Sequence, residues 1–117
     1  MNQELEELHN RAMALADEAD AARRRRDPLH ASACLKEAMA CERDAALRLY
    51  ALPDAPPATL AILLQSAASL AFELGDAREA ERLIARALSG DPPPALAEEL
   101  RELWERVRPQ LRPLQAA

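Results

Sequence analysis

Residues 64–92 read LQSAASLAFELGDAREAERLIARALSGDP, and they decide the fold. Past Gly75, the apolar residues Ala80, Leu83, Ile84, Ala87 and Leu88 recur at intervals of three and four, which lines them along one face of a helix. Arg78, Glu79, Glu81, Arg82 and Arg86 fill the opposite face. Gly75 stands where the preceding helix must stop, because glycine accepts the left-handed conformation of a C-cap at little cost. Asp76 follows in N-cap position with Glu79 three residues on, the arrangement of a capping box. The stretch predicts a helix, a tight turn at Gly75 and Asp76, and a second helix folded back on the first.

The same logic extends along the chain. A first helix is predicted over about residues 2–23, with Leu5, Leu8, Ala12, Leu15, Ala16, Ala19 and Ala22 stepping by three and four. Glutamates crowd its start and Arg23 to Arg26 its end, which suits the helix dipole at both termini. Asp27 and Pro28 restart the chain in N-cap and N1 order. A long helix follows to about residue 52, with Ala31, Cys34, Leu35, Ala38, Cys41, Ala45 and Leu49 on one face. Pro53, Pro56 and Pro57 break it. The third helix, about 58–74, carries only a narrow polar stripe (Thr59, Ser66, Ser69, Glu73), so it is predicted to be buried on most sides and central. A fifth helix, about 93–108, places Leu96, Leu100, Leu103, Trp104 and Val107 opposite a charged back, as a capping helix does. Pro109 and Pro113 end the regular pattern. Residues 1–108 thus form one all-α domain of antiparallel hairpins, about five helices in all, and 109–117 are expected to fray as a tail.

An internal repeat runs through this pattern. Asp27 corresponds to Asp76, Ala31 to Ala80, Leu35 to Ile84, Ala38 to Ala87 and Met39 to Leu88, at a constant offset of 49 residues. Over residues 64–92 the chain resembles a tetratricopeptide repeat (TPR), whose period is about 34 residues. Leu64, Ala67, Ala68 and Ala71 stand at the packed positions of its first helix, Gly75 at its turn, Ala80, Ile84 and Ala87 on its second helix, and Pro92 at its closing proline. Ala67 and Ala71 occupy places where that family usually carries large residues, which makes the inner face shallower. The excess over the family period falls between Cys41 and Pro57, where the second helix is several turns too long.

The resemblance implies a TPR-like, non-catalytic protein-interaction module, acting alone or as a homo-oligomer. It implies further that the first helices of successive units line a concave face that takes a peptide or protein partner. Carried over by alignment, that face holds Ile62, Gln65, Ser69 and Phe72. The repeat offset adds Met13, Ala16, Asp20 and Arg23. Family members that clamp a peptide carboxylate use lysine and asparagine there, which Gln65, Ser69, Ala16 and Asp20 do not supply.

Composition narrows the class. Half the residues are hydrophobic but only 3% are aromatic, so helices meet through alanine and not through a deep aromatic core. A formal net charge of −5 with both signs interspersed argues against a nucleic-acid binder, whose phosphate contacts need a basic face. No apolar run approaches the ~20 residues that span a bilayer. The acidic opening, MNQELEELHN, lacks the layout of a secretory signal. The expectation is a cytoplasmic protein with Cys34 and Cys41 as reduced thiols, no cofactor and no resident metal.

Three features carry chemistry. His30, Cys34 and Cys41 lie near one helix face, and a His/Cys pair at i, i+4 can share a metal; equally, Cys34 aligns with the packed Leu83, and a free cysteine is commonly a small buried hydrophobe. Arg23 to Arg26 form the one strong charge run. It suits a phosphate or an acidic partner, and it equally suits a solvated helix end that balances an acidic neighbourhood. The alternative function is therefore a metal- or anion-responsive regulator using His30, Cys34 and that run. An enzyme has little to work with: His9 and His30 lie on different helices without an adjacent nucleophile, the two glycines make no phosphate loop, and the acids are expected on solvent faces beside arginines.

Overall fold

A computed structural model describes residues 2–111. The helices are α1 (Gln3–Arg24), α2 (Pro28–Tyr50), α3 (Pro57–Glu73), α4 (Ala77–Ser89) and α5 (Pro94–Val107), followed by one 3-10 turn (Arg108–Gln110). No strand occurs among the described residues. Each start has a local cause. The side chains of Asn2, Asp27 and Asp76 accept hydrogen bonds from the backbone N–H of Leu5, His30 and Glu79 at 2.9, 3.2 and 3.2 Å. The helices α3 and α5 have no side-chain cap and instead place proline in the first turn, where its missing N–H costs nothing.

The two hairpin turns are built alike. At the end of α3, Gly75 N–H donates to Phe72 O and Asp76 N–H to Ala71 O, both at 2.9 Å, with Gly75 at φ +82°. At the end of α1, Arg26 N–H donates to Arg23 O at 2.9 Å and Asp27 N–H to Ala22 O at 2.8 Å, with Arg26 at φ +62°. Both are Schellman motifs followed directly by an aspartate N-cap, and they sit at the 49-residue offset of the sequence repeat. The expected capping box at Asp76 is one-sided. Its N–H is already held by Ala71 O, so the Glu79 carboxylate turns instead to Arg82 at 3.1 Å and to Arg43 at 3.7 Å.

Side-chain pairs fix the α1–α2 hairpin as antiparallel. Glu4 meets Arg48, His9 meets Glu42, Arg11 meets Glu37 and Glu18 meets His30, so one number falls as the other rises. A large core joins all five helices through Leu5, Ala46, Leu64, Leu83 and Leu100, among others. A smaller one collects Ala19, Cys34, Leu35, Ala38 and Leu70. Ala19 of α1 and Leu70 of α3 share the smaller core, and Arg23 meets Glu73 at the same end, so α1 and α3 run the same way on either side of α2. Alanine supplies more than half of the buried apolar positions, which brings the backbones close where they cross. The helix α3 packs on α2, α4 and α5 and is the central element. Of the expected tail, 109–110 belong to the 3-10 turn and Leu111 is half-buried; residues 112–117 lie outside the described residues.

Candidate functional site

The face assigned to a partner lies on α1 and α3. On α3, Ile62, Gln65, Ser69 and Phe72 step by three and four and share one side of the helix; Ile62 is 49% exposed, and the other three are half-buried. On α1, Met13 and Ala16 are half-buried, whereas Asp20 and Arg23 are exposed. Ala16 is partly consumed by packing against the smaller core. The structure ties the two helices together at one end only. Arg23 reaches Asp20 at 3.4 Å on its own helix and Glu73 on α3 at 3.5 Å. Next to Glu73, the Phe72 ring packs on the large core and lies under the Arg106 guanidinium of α5, 5.1 Å from the ring centroid. Arg23, Phe72 and Arg106 therefore link α1, α3 and α5 in a row, a cation–π contact continuing an ion pair.

The histidine–cysteine group comes together only in part. His30 Nε2 lies 3.6 Å from Cys34 Sγ and 3.2 Å from Glu18 Oε1. Arg25, and then His30, hold the Glu18 carboxyl below its ordinary pKa. Cys41 is not part of this group: it sits by Arg11, where Glu37, with Cys41 behind it, raises the guanidinium pKa. Both cysteines are free thiols, Cys34 buried and Cys41 half-buried. Among the described residues no group of three or more histidine, cysteine, aspartate or glutamate side chains is arranged to hold a metal ion.

The arginine run divides into two kinds. Arg23 and Arg25 are engaged, the latter with Glu18 at 3.2 Å. Arg24 and Arg26 are exposed and have no acidic or aromatic partner among the described residues.

One expectation about the acids fails. Glu42 is 0% exposed, and both its oxygens lie 2.9 Å from His9 Nδ1 across the α1–α2 interface. This is the one buried charged residue among those described. Its position explains it. Glu42 lies on the same stripe as Ala38, Ala45 and Leu49, where the helix has no solvent side, so the carboxylate must be satisfied by a partner helix. His9, with its side chain 28% exposed, supplies the bond and keeps its other edge towards water. The arrangement pins an imidazole, whose hydrogen bonds among the described residues go to Glu42 and to no nucleophile.

Of the cavities, one of about 380 Å³ lies by the α3–α4 turn, lined by Phe72, Gly75, Ala77 and Gln110. Another, of about 110 Å³, lies between the α2–α3 connection and the end of α4, lined by Tyr50, Leu60, Ala61, Leu64, Ala87 and Pro92. That is below the few hundred Å³ of a typical small-molecule site. Arg86 stacks on Tyr50 at its edge, 5.4 Å from the ring centroid. No helix among the described residues is long and apolar enough to cross a membrane.

The chain matches no protein-family model, no curated protein and no solved structure. The site is therefore argued from its own residues.

Proposed function

We propose that this chain is a non-catalytic protein-interaction module of TPR-like design, engaging a protein or peptide partner, or a second copy of itself, along the open side of α1 and α3. The supporting observation is the row Arg23–Glu73, Phe72–Arg106, which links α1, α3 and α5 by side chains, with α2 and α4 also packed on α3. The repeated turn supports the repeat reading: two Schellman caps with matching hydrogen bonds, one per hairpin. The partner face is shallow and mixed in polarity, with Ile62 as its most exposed apolar side chain. Such a surface suits an extended or helical segment better than a small ligand.

The net charge of −5 favours a protein partner over nucleic acid. Free thiols at Cys34 and Cys41 fit a reducing compartment, so we place the protein in the cytoplasm.

Chemical crosslinking in the native cell, followed by mass analysis, tests the reading. Crosslinks to one protein, or to a second copy, that disappear in Ile62→Glu are the expected result. A chain that stays monomeric and yields no protein crosslink would overturn it.

A further inference from the structure

The α1–α2 turn departs from its own counterpart in a way that local structure does not favour. In the α3–α4 turn the left-handed position is Gly75 and the first turn of α4 presents Arg78. At the equivalent places, 49 residues earlier, stand Arg26 and Leu29. Arg26 is the one non-glycine residue at positive φ among those described. A side chain there is strained relative to glycine. Leu29 is 84% exposed, the most exposed large hydrophobic among the described residues, in a place where a charged side chain serves the counterpart turn. A four-residue turn thus accepts two local penalties, and together they display an arginine and a leucine to solvent.

The neighbouring charges sharpen the point. The acids nearest the turn are occupied: Glu18 by Arg25 and His30, Glu73 by Arg23, and Asp27 by the His30 N–H it caps. Arg24 and Arg26 are left with free guanidinium groups on either side of a helix end, close in sequence to the exposed Leu29. The best-formed cavities are lined by other residues. Exposed side chains outside those cavities suit a chain laid over them better than an enclosed small molecule. Exposed arginine beside an exposed apolar side chain is the composition of interface anchors.

We infer that Arg24, Arg26 and Leu29 form a docking surface for an acidic peptide segment of a partner protein, carboxylates meeting the two arginine forks and an apolar side chain covering Leu29. Arginine presents paired donors that match a carboxylate. Charge complementarity selects this occupant: the acidic chain repels a long polyanion, while a short acidic segment meets two unpaired cations. The inference rests on the interaction-module reading and names a second surface for it, at the end of the molecule and away from Ile62.

Fluorescence anisotropy with a labelled peptide of alternating glutamate and leucine tests it on the full chain. Binding is expected to exceed that of a glutamate–serine peptide of equal length and to be absent for a lysine–leucine peptide. Arg24→Ser combined with Arg26→Gly is expected to weaken it by about fivefold or more, and Leu29→Ser to weaken it as well. Because Arg26→Gly relieves the backbone, the same variant melts no lower than the parent, so lost binding is not lost folding. No binding of the glutamate–leucine peptide, binding unmoved by these variants, or an equal loss from Arg101→Ser on α5 would each overturn the surface. So would a tighter grip on heparin than on the peptide, or a concentration-dependent mass that the turn variants abolish, which would assign the patch to a polyanion or to a second copy. Peptide binding that ignores the turn variants overturns this surface alone and leaves the crosslinking test to decide the broader reading.

Discussion

Arg26 and Gly75 occupy the same backbone position in two copies of one turn, which makes them an internal control. Arg26→Gly is expected to stabilise by about 1 kcal/mol, and Gly75→Ala to destabilise by a similar amount. An alanine Cβ at position 75 meets nothing within 4 Å, so its cost is backbone alone. Thermal melts of the two variants check both signs; a drop for Arg26→Gly would mean the guanidinium does more for the fold than the backbone loses. The His9–Glu42 pair gives a second contrast. His9→Ala leaves a fully buried carboxylate without its imidazole and is expected to cost about 3 kcal/mol, whereas His9→Leu with Glu42→Leu is expected to be near neutral. Urea titration of the single and double variants separates them. Glu18 adds a pH dependence. Its folded pKa is depressed by Arg25 and His30, so its contribution is present above the ordinary carboxylate range and fades as pH falls through the folded value. The difference in melting temperature between the parent and Glu18→Gln is therefore expected near neutral pH and to shrink as the pH falls below the ordinary carboxylate range.

At the scale of the helix, burial follows spacing closely enough that most of the core is legible from the chain. Ala80, Leu83, Ile84 and Ala87 are all buried, as are Leu100, Leu103 and Val107. A leucine at position 80 is expected to wedge apart the α3–α4 crossing and destabilise by about 1–3 kcal/mol, whereas Ala33→Leu on the open side of α2 is expected to stay within about 0.5 kcal/mol. Chemical melts of both decide whether the crossing lies at Ala80. What spacing conceals is polarity on a buried stripe. Positions 38, 42, 45 and 49 step by four, three and four, so Glu42 was marked for burial by the same rule that marked Ala45, yet its charge argued for solvent. The conflict resolves only through the antiparallel register of α1, which sets His9 opposite. That register depends on the length of the turn at Arg25 to Asp27 and is a property of the hairpin, not of either helix. The left-handed Arg26 was hidden for a related reason: four arginines in a row look like one solvated helix end, and only the repeat offset to Gly75 separates the last of them. The face proposed for a partner forms a stripe on α3 but is less continuous on α1, where Ala16 is partly spent on packing.

The whole molecule is a large core shared among five helices, with a smaller one among α1, α2 and α3. The helices α2 to α5 each bury their apolar side against more than one neighbour, because alanine-rich faces contribute little area each, whereas α1 packs chiefly on α2. The large core draws Leu5 from α1, Leu49 from α2, Leu63 and Leu64 from α3, Leu83 from α4 and Leu100 and Val107 from α5. The contacts run in a chain, α1 on α2, α2 on α3, and α3 and α4 on each other and on α5, around that shared core, which predicts a single cooperative unfolding transition in place of hairpin-by-hairpin melting. Trp104 is the one tryptophan of the chain and reports on α5 beside Ile84 and Leu88. Its fluorescence and the far-ultraviolet circular dichroism of all five helices are expected to lose half their signal at the same urea concentration. If the tryptophan signal moves first, α5 is a detachable cap, and the surface it covers on α3 and α4 becomes available to a partner. Coincident curves would instead make α5 integral to the core and confine recognition to the open side of α1 and α3 and the turn at Arg26.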